Sequence, residues 1–435
     1  MTEKTEHTPT GKGPLRAALA AWFAGVPLLG LLLGALVSVL LELLIGEPLA
    51  RSLGLPKVPV LFGVLIILKT PLLFPSSLLY VVLIYVLPVS LVARLTRAPA
   101  NALAAGLMNV HLVVSVAVHL GLLYAALHIW SGLNEYRLLT VKLTLIAIMM
   151  TLSLNVINGY MGEFSCSHPG FMALGAYVAS IITLLLFVDD RVLGPALVSA
   201  DLGPWAFPLA LVVGGLTAAL GALIIAIPSF RTRGDYLAII SLAFLFIVKS
   251  LVENLEVIGG PRGLMGQPDY ANLPTVFAWT VVCIWIINNF VRSTLGKALN
   301  AVRDDEIAAE AMTVNTRRTK MVAFMFGAFW AGVAGGLFAH VIRFINPATF
   351  GLQKLAEALA MVYFGGLNSV YGSVVGAVSI SLLGEALRPL EIFKWIVIPL
   401  LLILVMIYRP TGLIAFREFD VRRTLEPKGR PAGEV

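Results

Sequence analysis

The sequence predicts an all-α, polytopic membrane protein with roughly 10–12 transmembrane helices and cytoplasmic N- and C-termini. Three observations predict it. Hydrophobic residues make up 59% of the 435 and charged residues only 13%, about half the charged share of a soluble domain. The apolar residues come in long unbroken runs rather than in alternation, so the backbone is satisfied within helices and not across a barrel. Lys and Arg gather in a few polar stretches, above all 292–320 and 409–430, which is the habit of cytoplasmic loops. The net charge of +7 follows from that habit and calls for no nucleic-acid partner.

The N-terminus, MTEKTEHTPTGKGPLR, is polar and lacks the apolar core and small-residue cleavage site of a signal peptide. The run from Ala17 to Ile45 is too long for one and reads as a retained first helix. Further candidate spans are 77–93, 103–129, 139–160, 170–188, 205–228, 235–257, 273–291, 321–342, 353–367, 373–388 and 391–408. Placing 292–320 in the cytoplasm and counting outward puts Arg94, Arg97, Arg231 and Arg233 inside as well. The stretch 58–75 is apolar but broken by Lys69, Pro71 and Pro75. Crossing there would put the basic N-terminus outside, so it reads as interfacial or re-entrant. Small-residue spacings at 214–226 and 327–339 suit close helix packing.

Several chemistries lack their signatures. There is no G-x-x-x-x-G-K-[ST] loop for ATP phosphates, no H-E-x-x-H and no G-x-S-x-G. No catalytic residue, cofactor or metal site is expected. The two cysteines, Cys166 and Cys283, suggest neither a disulfide framework nor a metal site. His111, His119 and His128 share one apolar segment and read as packing or interhelical hydrogen-bonding groups.

The polar island Gly296–Lys320 lies between two spans. Asp304 and Asp305 can cap a helix. Ile307, Ala308, Ala311 and Met312 then form a small apolar stripe at helical spacing. The expectation is a short amphipathic helix at the cytoplasmic face, either a solvated connection or a docking element.

The stretch E-I-A-A-E-A-M-x-x-N-x-x-R resembles the cytoplasmic coupling loop of ABC importer permeases, and more closely that of branched-chain amino-acid permeases of the LivM type. The resemblance implies that Asp304, Asp305, Glu306, Ala308, Ala309, Glu310, Ala311, Thr313, Asn315 and Arg317 meet an ATP-binding subunit. The family usually has Gly where this chain has Thr313.

Other segments resemble the same family in the same order. Asn155–Tyr177 carries a family-like pattern of glycines, serines and an aromatic. Asn155, Gly159, Gly162, Ser165, Ser167, His168, Gly175 and Tyr177 there, with Gly259, Gly260 and Gly263 further on, are the candidate solute path. Arg262 stands where the family favours Asn. Pro228–Ile240, Leu359–Gly372 and Tyr408–Leu413 also look like family.

The resemblance divides the chain into an N-terminal transmembrane extension (1–135, about three spans), a permease core (136–415) and a basic tail (416–435). It implies a permease subunit of a prokaryotic inner-membrane importer for branched-chain amino acids or a related solute such as urea or a short amide. Its partners would be ATP-binding subunits, a second homologous permease, an extracytoplasmic solute-binding protein and the lipid bilayer. The competing class is an ion-coupled transporter, for which Lys142, Lys249, Glu253, Glu357 and Glu385 would be the coupling groups. Glu357 is the strongest of these, and Lys354 one turn earlier can pair with it.

Overall fold

In the computed structural model, residues 22–189, 194–230, 236–409 and 411–428 are described. They are almost wholly helical. Among them nine helices are long and apolar enough to cross a membrane, and Val370–Ala386 and Ile396–Tyr408 are shorter apolar helices. The chain forms two compact units, Met1–Asn134 with Asp420–Val435, and Glu135–Phe419.

In the first unit α1 is Leu28–Ser52, α2 is the span Pro71–Leu95, α3 is Arg97–Val110 and α4 is Leu112–Gly132. Among the described residues the first span starts at Leu28, and the expected start at Ala17 lies outside them. The expected single span 103–129 breaks at His111, whose backbone is extended (φ −169°) and whose ring accepts from the Val113 amide at the start of α4. Within α2, Val82–Val86 widens into a π turn just before Pro88. Proline has no N–H to offer the carbonyl four residues back. That carbonyl, on Ile84, instead accepts a 2.7 Å bond from Ser38 Oγ of α1. Glu42 of α1 is buried and accepts from the hydroxyls of Tyr80 and Tyr85, and Trp130 donates to Tyr85 Oη at 3.2 Å.

The second unit holds α5 (Glu135–Asn155) with its π-helical continuation Val156–Met161, then α6 (His168–Phe187), α7 (Gly203–Ser229), α8 (Tyr236–Asn254) and α9 (Leu273–Arg292). Two short helices follow, α10 (Thr294–Asp304) and α11 (Glu306–Ala311), before α12 (Thr316–Ile342), α13 (Leu352–Gly365), α14 (Val370–Ala386) and α15 (Glu391–Tyr408). A two-residue antiparallel pair, β1 (Leu264–Met265) and β2 (Phe344–Ile345), joins two loops at one end. The expected span 353–367 is α13, 14 residues long with Lys354 and Glu357 in its first two turns. That is about 21 Å of helix, short of a bilayer core.

The core is the crossing of α6, α7 and α12, built on the two expected small-residue stripes. A Cβ on Gly175 would strike the Gly332 backbone, and one on Gly335 would strike the Met172 carbonyl. Backbones this close gain dispersion over a long seam, which substitutes for the hydrophobic drive that lipid does not supply.

One end of this unit gathers the turn at 162–167, the α10–α11 pair, the α13–α14 turn and the stretch 409–419. The last two pair directly: Ile414 N donates to Gly365 O at 2.8 Å and Leu413 N to Phe364 O at 3.1 Å. The late motifs Leu359–Gly372 and Tyr408–Leu413 are therefore neighbours in space. By its basic residues this end is the cytoplasmic one. Arg231 and Arg233 lie outside the described residues.

Candidate functional site

The polar island folds as two helices rather than one. Ser293 caps α10, accepting from Gly296 N, and α10 runs to Asp304. Asp305 then leaves the helical region (φ −159°) and starts α11, its Oδ1 accepting from Ile307 N and Ala308 N, both at 3.0 Å. The short polar side chain of Asp competes with helix continuation and favours the cap. Asp304 instead pairs with Arg303 at 2.8 Å.

The far end of α11 closes by backbone geometry. Val314 N bonds Ala309 O and Thr313 N bonds Glu310 O, both at 3.0 Å. This is the Schellman arrangement, and its left-handed residue is Thr313, at φ +68°. That position favours glycine, the residue the resembling family usually has. Asn315 then caps α12 through Arg318 N, 2.9 Å away. Thr316 Oγ1 donates to Glu310 Oε1 at 2.9 Å and ties the two ends of the turn.

Ala309 is 4% exposed and faces inward, so of the sequence candidates it anchors α11 rather than displaying it. Ile307 and Met312 are 74% and 76% exposed. With exposed Ala308 and Ala311 they make an apolar ridge, outside any span, flanked by exposed Glu306, Glu310 and Arg317.

The candidates of 155–177 are nearly all buried. Asn155 Nδ2 donates to Ser373 Oγ at 2.7 Å and Ser369 O at 3.1 Å, and its Oδ1 accepts from Asn368 N at 3.2 Å. Its capacity is therefore spent on holding the α13–α14 turn. Gly159 lies against the same side chain, and Gly162, left-handed at φ +78°, is covered by the stem of Arg303. Ser165 and Ser167 bond each other at 2.9 Å, and the Ser165 amide donates to Asn158. Cys166 N donates to Ser241 Oγ of α8 at 2.9 Å, and burial pushes the Cys166 thiol up from its ordinary value. His168 is buried at the start of α6, Gly175 sits in the α6–α12 crossing, and the Tyr177 ring meets Phe350 at 6.3 Å.

Gly259, Gly260 and Gly263 sit away from the 162–167 turn. Gly263 lies against Ile345 beside the β1–β2 pair, and Gly260 against Glu253 O at the end of α8 opposite Ser241. Most of α8, about 18 Å of helix, lies between this end and the Cys166–Ser241 contact, whereas Tyr177 packs beside Val248, Lys249 and Val252 in the last turns of α8.

Sequence reasoning missed two constellations. At the basic end, Lys320 of α12 donates to Glu163 Oε1 at 2.7 Å and Glu306 Oε2 at 2.9 Å, beside a cavity of ≈ 510 Å³. No local pattern marks Glu163, which lies 157 residues from its partner. Toward the opposite end, α5, α13, α14 and α15 enclose a cavity of ≈ 110 Å³. Met150, Met361, Ile380 and Ile398 line it, as do Thr140, Thr144, Lys354 and Glu357. Lys354 Nζ stands 3.3 Å from Glu357 Oε2 and 5.5 Å from the Phe338 ring centre. That i, i+3 pairing was legible in sequence; the cavity beneath it was not. Glu385, at the rim, accepts from Tyr136 Oη at 2.8 Å. Among the described residues no group of three or more His, Cys, Asp and Glu is placed to hold a metal.

The model of the permease component of branched-chain amino acid transport systems matches residues 136–407. The chain is 31% identical over 311 residues to the high-affinity branched-chain amino acid transport system permease protein LivM of Escherichia coli (strain K12), covering 62% of this chain and 68% of that one. It is 31% identical over 312 residues to LivM of Salmonella typhimurium, with the same coverage. To the permease protein LivH of E. coli K12 it is 27% identical over 293 residues, covering 62% of this chain and 92% of that one. No solved structure matches the chain.

Proposed function

This chain belongs to the branched-chain amino acid transport permease family, and from that premise we propose that it is the membrane-spanning subunit of an ABC importer for branched-chain amino acids. It is a transport subunit and not an enzyme. With no phosphate loop it takes its energy from partner ATP-binding subunits. Its likeness to both LivM and LivH of one organism supports pairing with a second, related permease. A solute-binding protein delivers cargo from the other side.

The observation that carries the reading is the ridge of Ile307, Ala308, Ala311 and Met312 on α11. An exposed Ile and Met, set on a helix braced from behind by Ala309, stand outside the span at the cytoplasmic end. Such a ridge gains only by being covered, and small alanines admit a close partner. The cavity near the opposite end supports the solute class. A charged pair at its rim suits a zwitterion, and its Met and Ile lining suits an aliphatic side chain better than urea. The ion-coupled reading loses support because four of its five candidate charges are paired, Lys249 with Glu253 at 3.7 Å, Lys354 with Glu357 at 3.3 Å and Glu385 with Arg388 at 3.6 Å.

The test is co-purification with the ATP-binding subunits and leucine uptake by the reconstituted complex. Ala308→Arg should release the ATP-binding subunits while leaving the chain in the membrane. Retention of those subunits with normal uptake would refute the docking role of α11. Uptake of urea in preference to leucine would refute the solute.

A further inference from the structure

Two cations fasten the α10–α11 pair to the membrane bundle, and they grip it at one place. Lys320 lies in the second turn of α12, 9% exposed. Its ammonium bridges Glu306, the first residue of α11, and Glu163, in the turn that leads from the π segment Val156–Met161 into α6. Arg303, at the end of α10, donates to the carbonyl of Gly159 inside that π segment at 3.3 Å. Its stem occupies the space over Gly162. The exposed docking helix is thus wired, through buried Lys320 and half-buried Arg303, to the break between α5 and α6.

That break is built to bend. A π turn is a rare, wide departure from α geometry, frequent at functional sites and at helix kinks. Here it ends in a left-handed glycine. Beyond it, α6 runs into the glycine-lined crossing with α12 at Gly175, where backbones in contact move as one body.

We propose that Lys320, together with Glu306 and Glu163, is the linkage that carries motion of α11 to the hinge between α5 and α6, so that ATP-driven movement at the cytoplasmic face reorients α6. The proposal rests on α11 being the docking element. If α11 shifts and the Lys320 ammonium follows Glu306 while Glu163 stays, the half-buried Glu163 carboxylate is left without its cation. Charge-assisted bonds of this kind are the strong ones, so the lower-energy path is for the turn at Glu163 to follow. A solvated ion pair would simply part and transmit nothing. These three are positioning residues; none touches solute.

The test uses the complete complex, with both permeases, the ATP-binding subunits and the binding protein, in proteoliposomes. The readout is ATP hydrolysed per leucine taken up, a ratio that loss of folded protein does not change. Lys320→Met should retain the ATP-binding subunits and raise that ratio about tenfold, since a charge-assisted link is lost. Lys320→Arg should stay near the native ratio. Glu163→Gln, remote from the ridge of α11, should raise it severalfold. The exchange Glu163→Lys with Lys320→Glu keeps one ammonium and two carboxylates and should bring the ratio back toward native. An unchanged ratio in both Lys320→Met and Glu163→Gln overturns the linkage. So does loss of the ATP-binding subunits from both, which would make the cluster a folding staple. The docking reading fails separately, through Ala308→Arg keeping its ATP-binding subunits.

Discussion

Replacing Thr313 by Gly should tighten the turn that closes α11. Thr313 is exposed and sits at φ +68°, where a left-handed backbone costs an L-residue about 1–2 kcal/mol. A β-branched side chain has no rotamer that relieves it. Glycine removes that cost but adds freedom to the open state, which offsets about 0.5–1 kcal/mol. The net gain is about 0.5–1 kcal/mol, a twofold to fivefold shift in the local opening equilibrium. The two bonds that report it are Val314 N to Ala309 O and Thr313 N to Glu310 O. Hydrogen exchange of peptides covering 306–314 in the purified protein should slow by that factor. Thr313→Asn, which tolerates the left-handed region, should fall between. Unchanged or faster exchange in the glycine variant would refute the strain argument, because no packed neighbour is altered that could mask it.

Gly335→Val should be the most damaging single change in the core, costing about 3 kcal/mol or more, since its Cβ meets the Met172 carbonyl. Loss of folded protein in a detergent thermal-stability assay would register it. Asn155→Ala should cost about 3 kcal/mol by leaving the α13–α14 turn with buried unpaired groups. It should lower melting temperature, with the KM for leucine unchanged in whatever protein remains folded; a raised KM would instead make Asn155 a solute contact. Cys166 is buried with its thiol pushed up, so maleimide at neutral pH should label the folded chain poorly at that position and label it fully after denaturation; rapid labelling of the native state would contradict its burial.

What the sequence by itself determined was whatever depends on a few consecutive residues. Hydropathy over a bilayer's length marked most of the spans. Asp305 announced a helix start because a short polar side chain reaches the amides two and three residues on, wherever the helix is placed. The glycine and alanine stripes at 214–226 and 327–339 announced close packing, though not with which partner. The departure from the family's Gly at Thr313 marked a bend after the helix, and the structure shows Thr313 as its left-handed residue. Tertiary structure decided the rest, because a single chain's pattern does not say which helix faces which. Asn155, a solute-path candidate in the sequence, bonds Ser369 and Ser373, more than two hundred residues away. The 162–167 turn and the glycines at 259–263 come to opposite ends of α8, which sequence order does not specify. Lys320 looked like one more cytoplasmic anchor. Only folding put Glu163 and Glu306 on either side of it, because an ammonium removed from water must find its counter-charges wherever the packing of helices delivers them.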